Sequence, residues 1–339
     1  MSLRSGGALA SEFRAAGLPP EELSLTASVL GAFRMAASVP RLRARREDVI
    51  HGWMYHGNLA ATIAGWRRKP VAWNIRETVY ELGDEKPSTA RAIRLSAHLS
   101  SSVDCIVYNS TVSREQHRQL GFSPRADMVI PNGVDISRFS RDPARRAEWR
   151  RKLGFEESDI VVARFGRAHP MKDHSTFLRA FRSVLDRDSS VKGLVVGKGC
   201  DDVAGKVMEE VRALRLTEQV RVFGDRRDVA DLLQTCDVAC SSSAWGEAYP
   251  NVVAEAMAAG CAVVTTDVGD SATIVGDGGT VVPARSVAAL AQAVFDLVSA
   301  PDRRVAAAEA ARKRAAAHLT LRASVSQYNS LYHDLASGR

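Results

Sequence analysis

The stretch Glu247-Ala-Tyr-Pro-Asn-Val-Val-Ala-Glu255 comes just after a short strand-like run at Asp237–Cys240. Pro250 suits the first position of a helix and Gly260 suits the position just past its end, so these residues predict a strand followed by a helix. The first backbone N–H groups of such a helix point outward and carry partial positive charge. At the carboxyl end of a parallel strand they predict a site for a phosphate or a sugar hydroxyl. The same spacing is also compatible with an ordinary helix start at which Glu247 and Glu255 are solvated and bind no ligand.

Strands and helices alternate throughout the second half of the chain. The runs that predict strands are Ile160–Phe165, Gly193–Val196, Val220–Phe223, Asp237–Cys240, Ala262–Thr265 and Thr280–Val282. The stretches that predict the helices between and after them are Ser175–Leu185, Val203–Leu214, Val229–Gln234, Asn251–Ala259 and Val287–Val298. Alternation of this kind is typical of a parallel sheet that is covered by helices on both faces.

The first half repeats the alternation less regularly. We expect strands at Val49–His51, Val71–Ile75, Cys105–Tyr108 and Met128–Ile130, and helices at Ala8–Ala16, Ala27–Ala37, Asn58–Trp66, Thr89–Ser100 and Val112–Leu120. The turn-forming stretch Pro131-Asn-Gly-Val-Asp135 separates the two halves. After the second half, Ala306–Ala317 predicts a solvated helix and Ala323–Leu335 a closing helix that packs on a domain.

This organisation predicts an α/β protein with two doubly wound, Rossmann-like parallel-sheet domains that face each other across a cleft. We expect an N-terminal domain in residues 1–131 and a C-terminal domain in residues 132–318, both of the nucleotide-binding type. A last helix in residues 319–339 is expected to pack back towards the N-terminal domain.

The composition is that of an ordinary globular protein. Of the 339 residues, 45% are hydrophobic and 25% are charged, and this length suits two domains better than one core. No apolar run approaches the roughly 18 residues of a transmembrane helix, and no signal-peptide pattern follows Met1, so we expect a cytoplasmic protein. The five cysteines are scattered without a Cys-x-x-Cys pair, which argues against a zinc site or a disulfide framework.

The chain is basic, with 46 Lys and Arg against 39 Asp and Glu and a formal net charge of +7. That surplus suits anionic partners, such as a phospholipid surface, phosphorylated small molecules or nucleic acid. The sequence has neither a basic arm nor an aromatic RNA-binding signature, so no nucleic-acid partner is expected. The cluster Trp66-Arg-Arg-Lys69 would permit peripheral contact with the inner membrane face, and a solvated helix end fits it equally well.

Two further loops carry groups that suit a diphosphate. Gly166-Arg167-Ala-His-Pro-Met-Lys172 follows the first predicted strand of the second half. Arginine offers phosphate a planar fork and lysine a point charge, so the two cations could converge on one diphosphate. Ordinary surface cations fit the same pattern. Gly197-Lys198-Gly199 follows the next strand, and its glycines would let the backbone approach a ligand.

Taken in order, these pieces resemble the retaining glycosyltransferases of glycosyltransferase family 4, which have the two-domain GT-B fold. The resemblance runs from Val129 to Val282. The pieces that carry it are Ile130-Pro-Asn-Gly-Val-Asp135, Gly166-Arg167 with Lys172, Val195-Val-Gly-Lys-Gly199, Val222-Phe-Gly224 with Asp228-Val229, Glu247 with Glu255, Ala256 and Gly260, and Asp267-Val-Gly269. Such an ordered series is far more specific than any single motif.

The resemblance implies roles for individual residues. Arg167 and Lys172 would neutralise the donor diphosphate, and Glu247 would lie beside the donor sugar. These three are the expected catalytic residues. Glu255 would hold the ribose hydroxyls. The other expected donor-binding residues are Gly166, Gly197, Lys198, Val222, Phe223, Arg226, Ala248, Tyr249, Pro250, Asn251 and Val252. The family uses no metal, and we expect no cofactor besides the nucleotide-sugar substrate.

On the acceptor side the chain departs from the family. Many members have a histidine after the strand that matches Val71–Ile75, whereas this chain has Arg76-Glu77 there. Arg76, His51 and His56 are therefore the acceptor-side candidates, although a histidine at a strand end is more often structural. The expected acceptor is a glycan or a lipid-linked sugar in cell-surface polysaccharide synthesis.

The N-terminus also departs from the family, whose members begin with a strand, a glycine-rich loop, a helix and a second strand. Met1–Ala10 resembles the end of that second strand, so we expect one βαβ unit to be missing. Its loss would uncover Leu30, Phe33 and Met35 and make the N-terminal domain labile. Two functions remain as alternatives: an active transferase, or a truncated, inactive protein that only binds nucleotide-sugar.

Overall fold

The computed structural model describes Ser2, residues 10–22, Pro40, and residues 47–65, 68–83 and 85–338. Within these residues the chain forms two parallel sheets, one of four strands and one of six. The predicted helix Ala27–Ala37, with Leu30, Phe33 and Met35, lies outside the described residues, as do Trp66 and Arg67 of the basic cluster. The absence of an N-terminal unit stays a prediction.

The four-stranded sheet belongs to the first half of the chain. Its strands are β1 (Ile50–Trp53), β2 (Val71–Ile75), β3 (Cys105–Tyr108) and β4 (Ala126–Val129), side by side in chain order. The helices of this half are α1 (Ala10–Ala15), α2 (Met54–Gly65), α3 (Pro87–Leu99) and α4 (Thr111–Gln119). Strands β2 and β3 are buried at every position, which explains why both appear in the sequence as uninterrupted short runs.

The six-stranded sheet belongs to the second half and has the order β10-β9-β8-β5-β6-β7. Its strands are β5 (Ile160–Phe165), β6 (Val191–Val196), β7 (Val220–Phe223), β8 (Val238–Ser241), β9 (Ala262–Thr266) and β10 (Thr280–Val282). The strand order reverses between β5 and β8, both of which lie in the middle of the sheet. In open α/β sheets, ligands bind outside the carboxyl ends of the strands at such a reversal.

Ten helices of the described residues follow β4. They are α5 (Ile136–Phe139), α6 (Pro143–Leu153), α7 (His174–Leu185), α8 (Lys206–Ala213), α9 (Val229–Gln234), α10 (Asn251–Ala258), α11 (Ser271–Val275), α12 (Val287–Val298), α13 (Pro301–His318) and α14 (Leu321–Ser337). Two hydrophobic clusters lie in this half and together include buried side chains from every strand of the six-stranded sheet.

Helix α6 was missed by the sequence patterns because a charged side chain lies among those that face inward. Asp142 caps its start by accepting hydrogen bonds from two backbone N–H groups, and Gly154 ends it at a φ of 71°. Arg150 of this helix is buried and donates to the Asp237 carboxylate at 2.8 Å. A helix that docks through an ion pair lacks the apolar periodicity that predicts amphipathic helices.

Two predicted features of the helices were wrong in detail. Helix α13 is not solvated all round, because Ala311 and Ala315 are fully buried in the hydrophobic cluster that contains β9 residues. Pro250 precedes α10 as its N-cap residue instead of being the first helical residue, although Gly260 ends the helix at a φ of 72° as expected.

The last helix contacts the four-stranded sheet. The chain returns at the turn between the halves, where the N–H of Val134 donates to the Leu319 carbonyl at 2.7 Å. Leu331 of α14 is buried against residues of β3, and the Tyr328 hydroxyl accepts from the Asn74 side chain of β2 at 2.7 Å. These contacts place the last helix beside the four-stranded sheet, while the division into domains, with residues 319–339 as a separate part, stays a prediction.

Candidate functional site

A cavity of about 390 Å³ opens at the carboxyl ends of β5 and β6, where the strand order reverses. The residues that line it are Phe165, Gly166, Arg167, Lys172, Val196, Gly197, Lys198, Asp225, Arg226, Val229, Glu247, Tyr249, Pro250, Asn251, Val252 and Glu255. The structure thus brings the three loops that the sequence singled out into one cavity. It does so because parallel strands place their carboxyl ends at the same sheet edge.

An ion pair between Lys172 and Glu247 forms part of the cavity wall. The Ser243 hydroxyl donates to the same Glu247 oxygen, Oε1, at 2.7 Å. The Thr266 hydroxyl in turn donates to the Ser243 carbonyl at 2.6 Å. Burial lowers the pKa of the Lys172 amine, and the Glu247 carboxylate opposes that shift. Both side chains are therefore held in place before any ligand binds.

Two glycines allow the loops after β5 and β6 to touch. A side chain at Gly197 would run into the backbone of Gly166, and one at Gly166 would lie 3.2 Å from Arg164 Nη1. The backbone of the two loops is joined by hydrogen bonds, including that from Ala168 N–H to the Lys198 carbonyl at 2.9 Å. Arg167 and Lys198 are exposed at the mouth of the cavity.

The N-terminus of α10 closes another side of the cavity. Its N-cap residue, Pro250, makes no side-chain capping bond, but its carbonyl accepts from the Val253 N–H at 3.0 Å. The first two N–H groups of the helix can therefore donate to an anion or a hydroxyl. Glu255 lies one turn along the same helix, and burial raises the pKa of its carboxyl, an effect opposed by Arg138. The arrangement combines hydrogen-bond donors with a carboxylate acceptor, as a phosphorylated sugar requires.

Three of the predicted donor-binding residues do not line this cavity. Val222 and Phe223 lie on β7 outside its wall, and Ala248 is buried behind it. Arg226 does line the cavity, and its guanidinium lies 5.4 Å from the Phe223 ring centroid. Two hydrogen bonds to Asp228 hold this arginine and raise its pKa.

The acceptor-side candidates divide into two groups. His51 and Arg76 belong to an aromatic cluster between β1 and α14. His51 shares a 2.8 Å hydrogen bond with the Tyr332 hydroxyl, and the Arg76 guanidinium lies 5.1 Å from the Trp53 ring centroid. Burial lowers the pKa of His51 to about 4. His56 is exposed on α2 and is absent from the cluster.

Asparagines connect this aromatic cluster to the cavity. The Arg76 guanidinium donates to the Asn132 side chain, which donates to Asn251 Oδ1 in the cavity wall at 2.6 Å. The cluster also contains Trp53, Tyr328 and Tyr332, which sequence reasoning did not select as site residues. The i,i+4 spacing of the two tyrosines on the last helix was the available signal.

Asp270 is a further residue that the sequence did not identify. It follows the Asp267-Val-Gly269 motif, is only 6% exposed, and its N–H donates to the Ala248 carbonyl at 3.0 Å. Its carboxylate accepts from the N–H groups of Thr111 and Val112 at 2.7 and 3.1 Å. Asp270 therefore links the loop behind the cavity to the first turn of α4 in the other half of the chain.

Two family models match the chain. Residues 145–314, half of the chain, match the model described as Glycosyl transferases group 1. The chain belongs to the group 1 glycosyltransferase family. Residues 4–138 of this group 1 glycosyltransferase match the model described as Glycosyltransferase Family 4, so the family predicted from the motifs is confirmed.

Solved structures share the fold of this group 1 glycosyltransferase. HepE from Anabaena in complex with UDP-glucose has a TM-score of 0.83 at 21% identity, over 99% of this chain and 90% of HepE. A glycosyltransferase from Rickettsia africae has a TM-score of 0.82 at 18% identity, over 97% of this chain and 88% of that protein. These likenesses concern the fold, and they confirm the predicted GT-B architecture.

Curated relatives include two kinds of inositol-linked transferase. A D-inositol 3-phosphate glycosyltransferase from Actinosynnema mirum is 28% identical over 277 residues, which cover 75% of this group 1 glycosyltransferase and 64% of the relative. A phosphatidyl-myo-inositol mannosyltransferase from Mycobacterium tuberculosis is 34% identical over 142 residues, covering 41% of this chain and 34% of that one. The chain therefore spans less than two thirds of the length of these relatives.

The described part of the chain also bears on metals and membranes. Within it, no group of three or more His, Cys, Asp or Glu side chains is placed to hold a metal ion. Likewise, none of the helices found there has the length and apolarity needed to cross a bilayer. All five cysteines are buried and unpaired. Independence from metal stays a prediction.

Proposed function

We propose that this chain is a retaining hexosyltransferase that moves a sugar from a nucleoside-diphosphate sugar to a glycan or lipid-linked acceptor in cell-surface polysaccharide synthesis. The observation that carries the proposal is the cavity in which the Lys172–Glu247 ion pair, Arg167 and the α10 N-terminus converge. HepE, which has the same fold, was crystallised with UDP-glucose. That complex supports a UDP-sugar as the donor.

Arg167 and Lys172 are the proposed ligands of the donor diphosphate. The leaving nucleoside diphosphate gains negative charge as the glycosidic bond breaks. Fixed cations and helix N–H groups aimed at that charge lower the barrier without reorganising. Lys172 is already oriented by Glu247, so it needs little rearrangement when the donor arrives.

Glu247 has a second proposed role towards the donor sugar. Its contacts with Lys172 and Ser243 both use Oε1, which leaves Oε2 for a sugar hydroxyl. Glu255, whose carboxyl has a raised pKa through burial, is the proposed partner of the ribose hydroxyls. Arg226 and the adjoining β7 residues would then face the base.

The proposed chemistry needs no protein nucleophile. In a same-face attack, the acceptor hydroxyl forms the new bond to the sugar as the bond to the diphosphate breaks. The departing phosphate oxygen takes the acceptor proton. Closure of the cleft between the two halves on the bound donor would exclude water, which favours transfer over hydrolysis. His51 and Arg76 are the proposed acceptor-side groups, and a lipid-linked acceptor would be met in the cytoplasm by peripheral contact with the inner membrane face.

A thermal-shift panel of UDP-, GDP-, ADP- and CMP-sugars tests the donor. A ligand that binds only the folded state raises its stability, and we expect UDP-glucose or another UDP-sugar to give the largest shift. Transfer is then tested with the stabilising donor and a membrane fraction as acceptor. No shift with any nucleotide-sugar would remove the proposed function, whereas a shift without transfer would favour the alternative of a binding protein without turnover.

Metal independence is tested by chelation. Because the positive charges at the proposed diphosphate site come from side chains and a helix N-terminus, donor binding and transfer should persist in excess EDTA. Adding magnesium or manganese should change the transfer rate by less than about twofold, a difference of only a few tenths of a kcal/mol. A strict requirement for either ion would contradict the proposed mechanism.

A further inference from the structure

A fully buried arginine lies directly behind the donor cavity. Arg164, in β5, is 0% exposed. Its guanidinium donates to the Ser242 hydroxyl at 3.0 Å, the Ser243 hydroxyl at 3.4 Å and the Lys172 carbonyl at 2.6 Å. A fourth bond reaches the carbonyl of Phe165. All of its acceptors are therefore neutral.

Such an arrangement is costly, because charges buried in proteins are normally paired. The second fully buried arginine of this half, Arg150, has a carboxylate partner, as is usual for a buried charge. Arg150 is 1% exposed and donates to the Asp237 carboxylate at 2.8 Å as well as to backbone carbonyls. Burial lowers the pKa of Arg164, and the Glu247 and Asp173 carboxylates oppose that shift only through space. Glu247 is already paired with Lys172.

The acceptors of Arg164 belong to the donor cavity. Its bond to the Lys172 carbonyl fixes the backbone of the proposed diphosphate lysine. Ser243, which it also contacts, donates to Glu247. Arg164 adjoins the cavity wall at Gly166, since a Cβ on that glycine would lie 3.2 Å from Arg164 Nη1.

We infer that Arg164 is a positioning residue for the donor diphosphate, which it serves in two ways. It holds Lys172 and, through Ser243, Glu247 from behind, and it supplies a positive charge whose counter-ion is the diphosphate of the bound nucleotide. The inference rests on the proposed function. A charge in the protein interior, where the effective dielectric constant is lower than in water, acts more strongly on a nearby ligand than the same charge in solvent.

The test compares UDP with uridine, because only UDP carries the diphosphate. Calorimetry is done with the full chain and the variants Arg164→Gln, Arg164→Lys and Arg150→Gln. In Arg164→Gln we expect the Kd for UDP to rise roughly tenfold to a hundredfold, with the Kd for uridine within about twofold of the wild type. Arg164→Lys keeps the charge and should recover most of the UDP affinity.

Arg150→Gln is the matched control for removing a buried guanidinium. It should lower the Tm while leaving both dissociation constants unchanged, because none of the hydrogen-bond partners of Arg150 lines the cavity. Near-UV circular dichroism checks that each variant is folded. If Arg164→Gln does not fold, the affinities of Arg164→Lys are compared with those of Arg150→Gln.

Three results would overturn the inference. One is UDP binding by Arg164→Gln with wild-type affinity. Another is an equal loss of UDP and uridine binding, which a purely structural role would produce. If only Arg164→Lys folds, UDP affinity close to that of the wild type supports the inference, and an equal loss of UDP and uridine affinity of about tenfold or more overturns it. A wild-type chain that binds no nucleoside diphosphate would instead remove the proposed function, and the inference with it.

Discussion

Lys172 and Arg167 are both cations of the same loop, yet their surroundings differ. Lys172 is partly buried and paired with Glu247, which is 8% exposed, whereas Arg167 is exposed at the cavity mouth. Removing one partner of a buried pair leaves the other charge without compensation. The two residues should therefore share an effect on ligand binding and differ in their effect on stability.

Arg167→Ala and Lys172→Ala should each weaken UDP binding by about 1.5–3 kcal/mol, the range for a lost charge-assisted contact. Only Lys172→Ala should also lower the free energy of unfolding, by roughly 2 kcal/mol, because Glu247 loses its partner. Calorimetry and urea unfolding measure the two effects. Arg182→Ala, which removes a partly exposed cation of α7 outside the cavity wall, is the control. Unchanged UDP affinity in both cavity variants would exclude them from the site.

His117 makes stability depend on pH. It is fully buried, its Nδ1–H donates to the Ser113 carbonyl at 2.7 Å, and its Nε2 accepts from the Tyr55 hydroxyl at 2.8 Å. Burial lowers its pKa from 6.5 to about 4. Between these values the unfolded chain takes up a proton that the folded chain does not. The stabilisation is complete above about pH 6.5 and is lost as the pH falls towards 4.

The expected loss from His117 is about 2–3 kcal/mol between neutral pH and about pH 4. His51 and His174, whose pKa values burial also lowers to about 4, add to the same trend. Urea unfolding of His117→Gln at about pH 7.5 and about pH 5 should show a smaller pH difference than the wild type. If the free energy of unfolding changed equally between the two pH values in the variant and the wild type, His117 would not titrate on unfolding.

At the scale of elements, the site depends on two strand-end loops in backbone contact. Gly197→Ala should push the loop after β6 away from Gly166 and Arg167, since a Cβ has no room there. A displacement of about 1 Å can cost a hundredfold in function, and we expect UDP affinity to fall at least tenfold, or about 1.4 kcal/mol. Gly57→Ala, with open space around its Cβ, is the control. Equal UDP affinity in both variants would refute the packing argument.

At the scale of the whole molecule, the carboxylate of Asp270 joins the two halves at the first turn of α4. Asp270→Ala should reduce the transfer rate by about tenfold, because the two halves of the chain would no longer be held in alignment. The Kd for UDP should change less than about twofold, because the UDP site lies in one half. Small-angle scattering should show a larger radius of gyration. Asp267→Ala removes an exposed carboxylate of the same loop and serves as the control. A transfer rate equal to that of the control would contradict the role of Asp270.

Sequence alone predicted the family, the alternation of strands and helices, and the three loops that form the cavity. Strands β2, β3, β5, β7 and β10 have the predicted bounds, because each is a short β-branched or apolar run between turn signals. The loop residues were found because parallel topology alone places consecutive strand ends at one edge. All of this information is local in the chain or follows from the sheet type.

The tertiary structure decided what depends on residues that are far apart in sequence. Asp270 contacts Thr111, and Arg76 contacts Tyr328, across 159 and 252 positions. Arg164 could be recognised as an unpaired buried charge only once the residues around it were known. Hydrophobic periodicity cannot predict such contacts. It shows which face of a helix or strand is buried, but not which polar group on another element that face contacts.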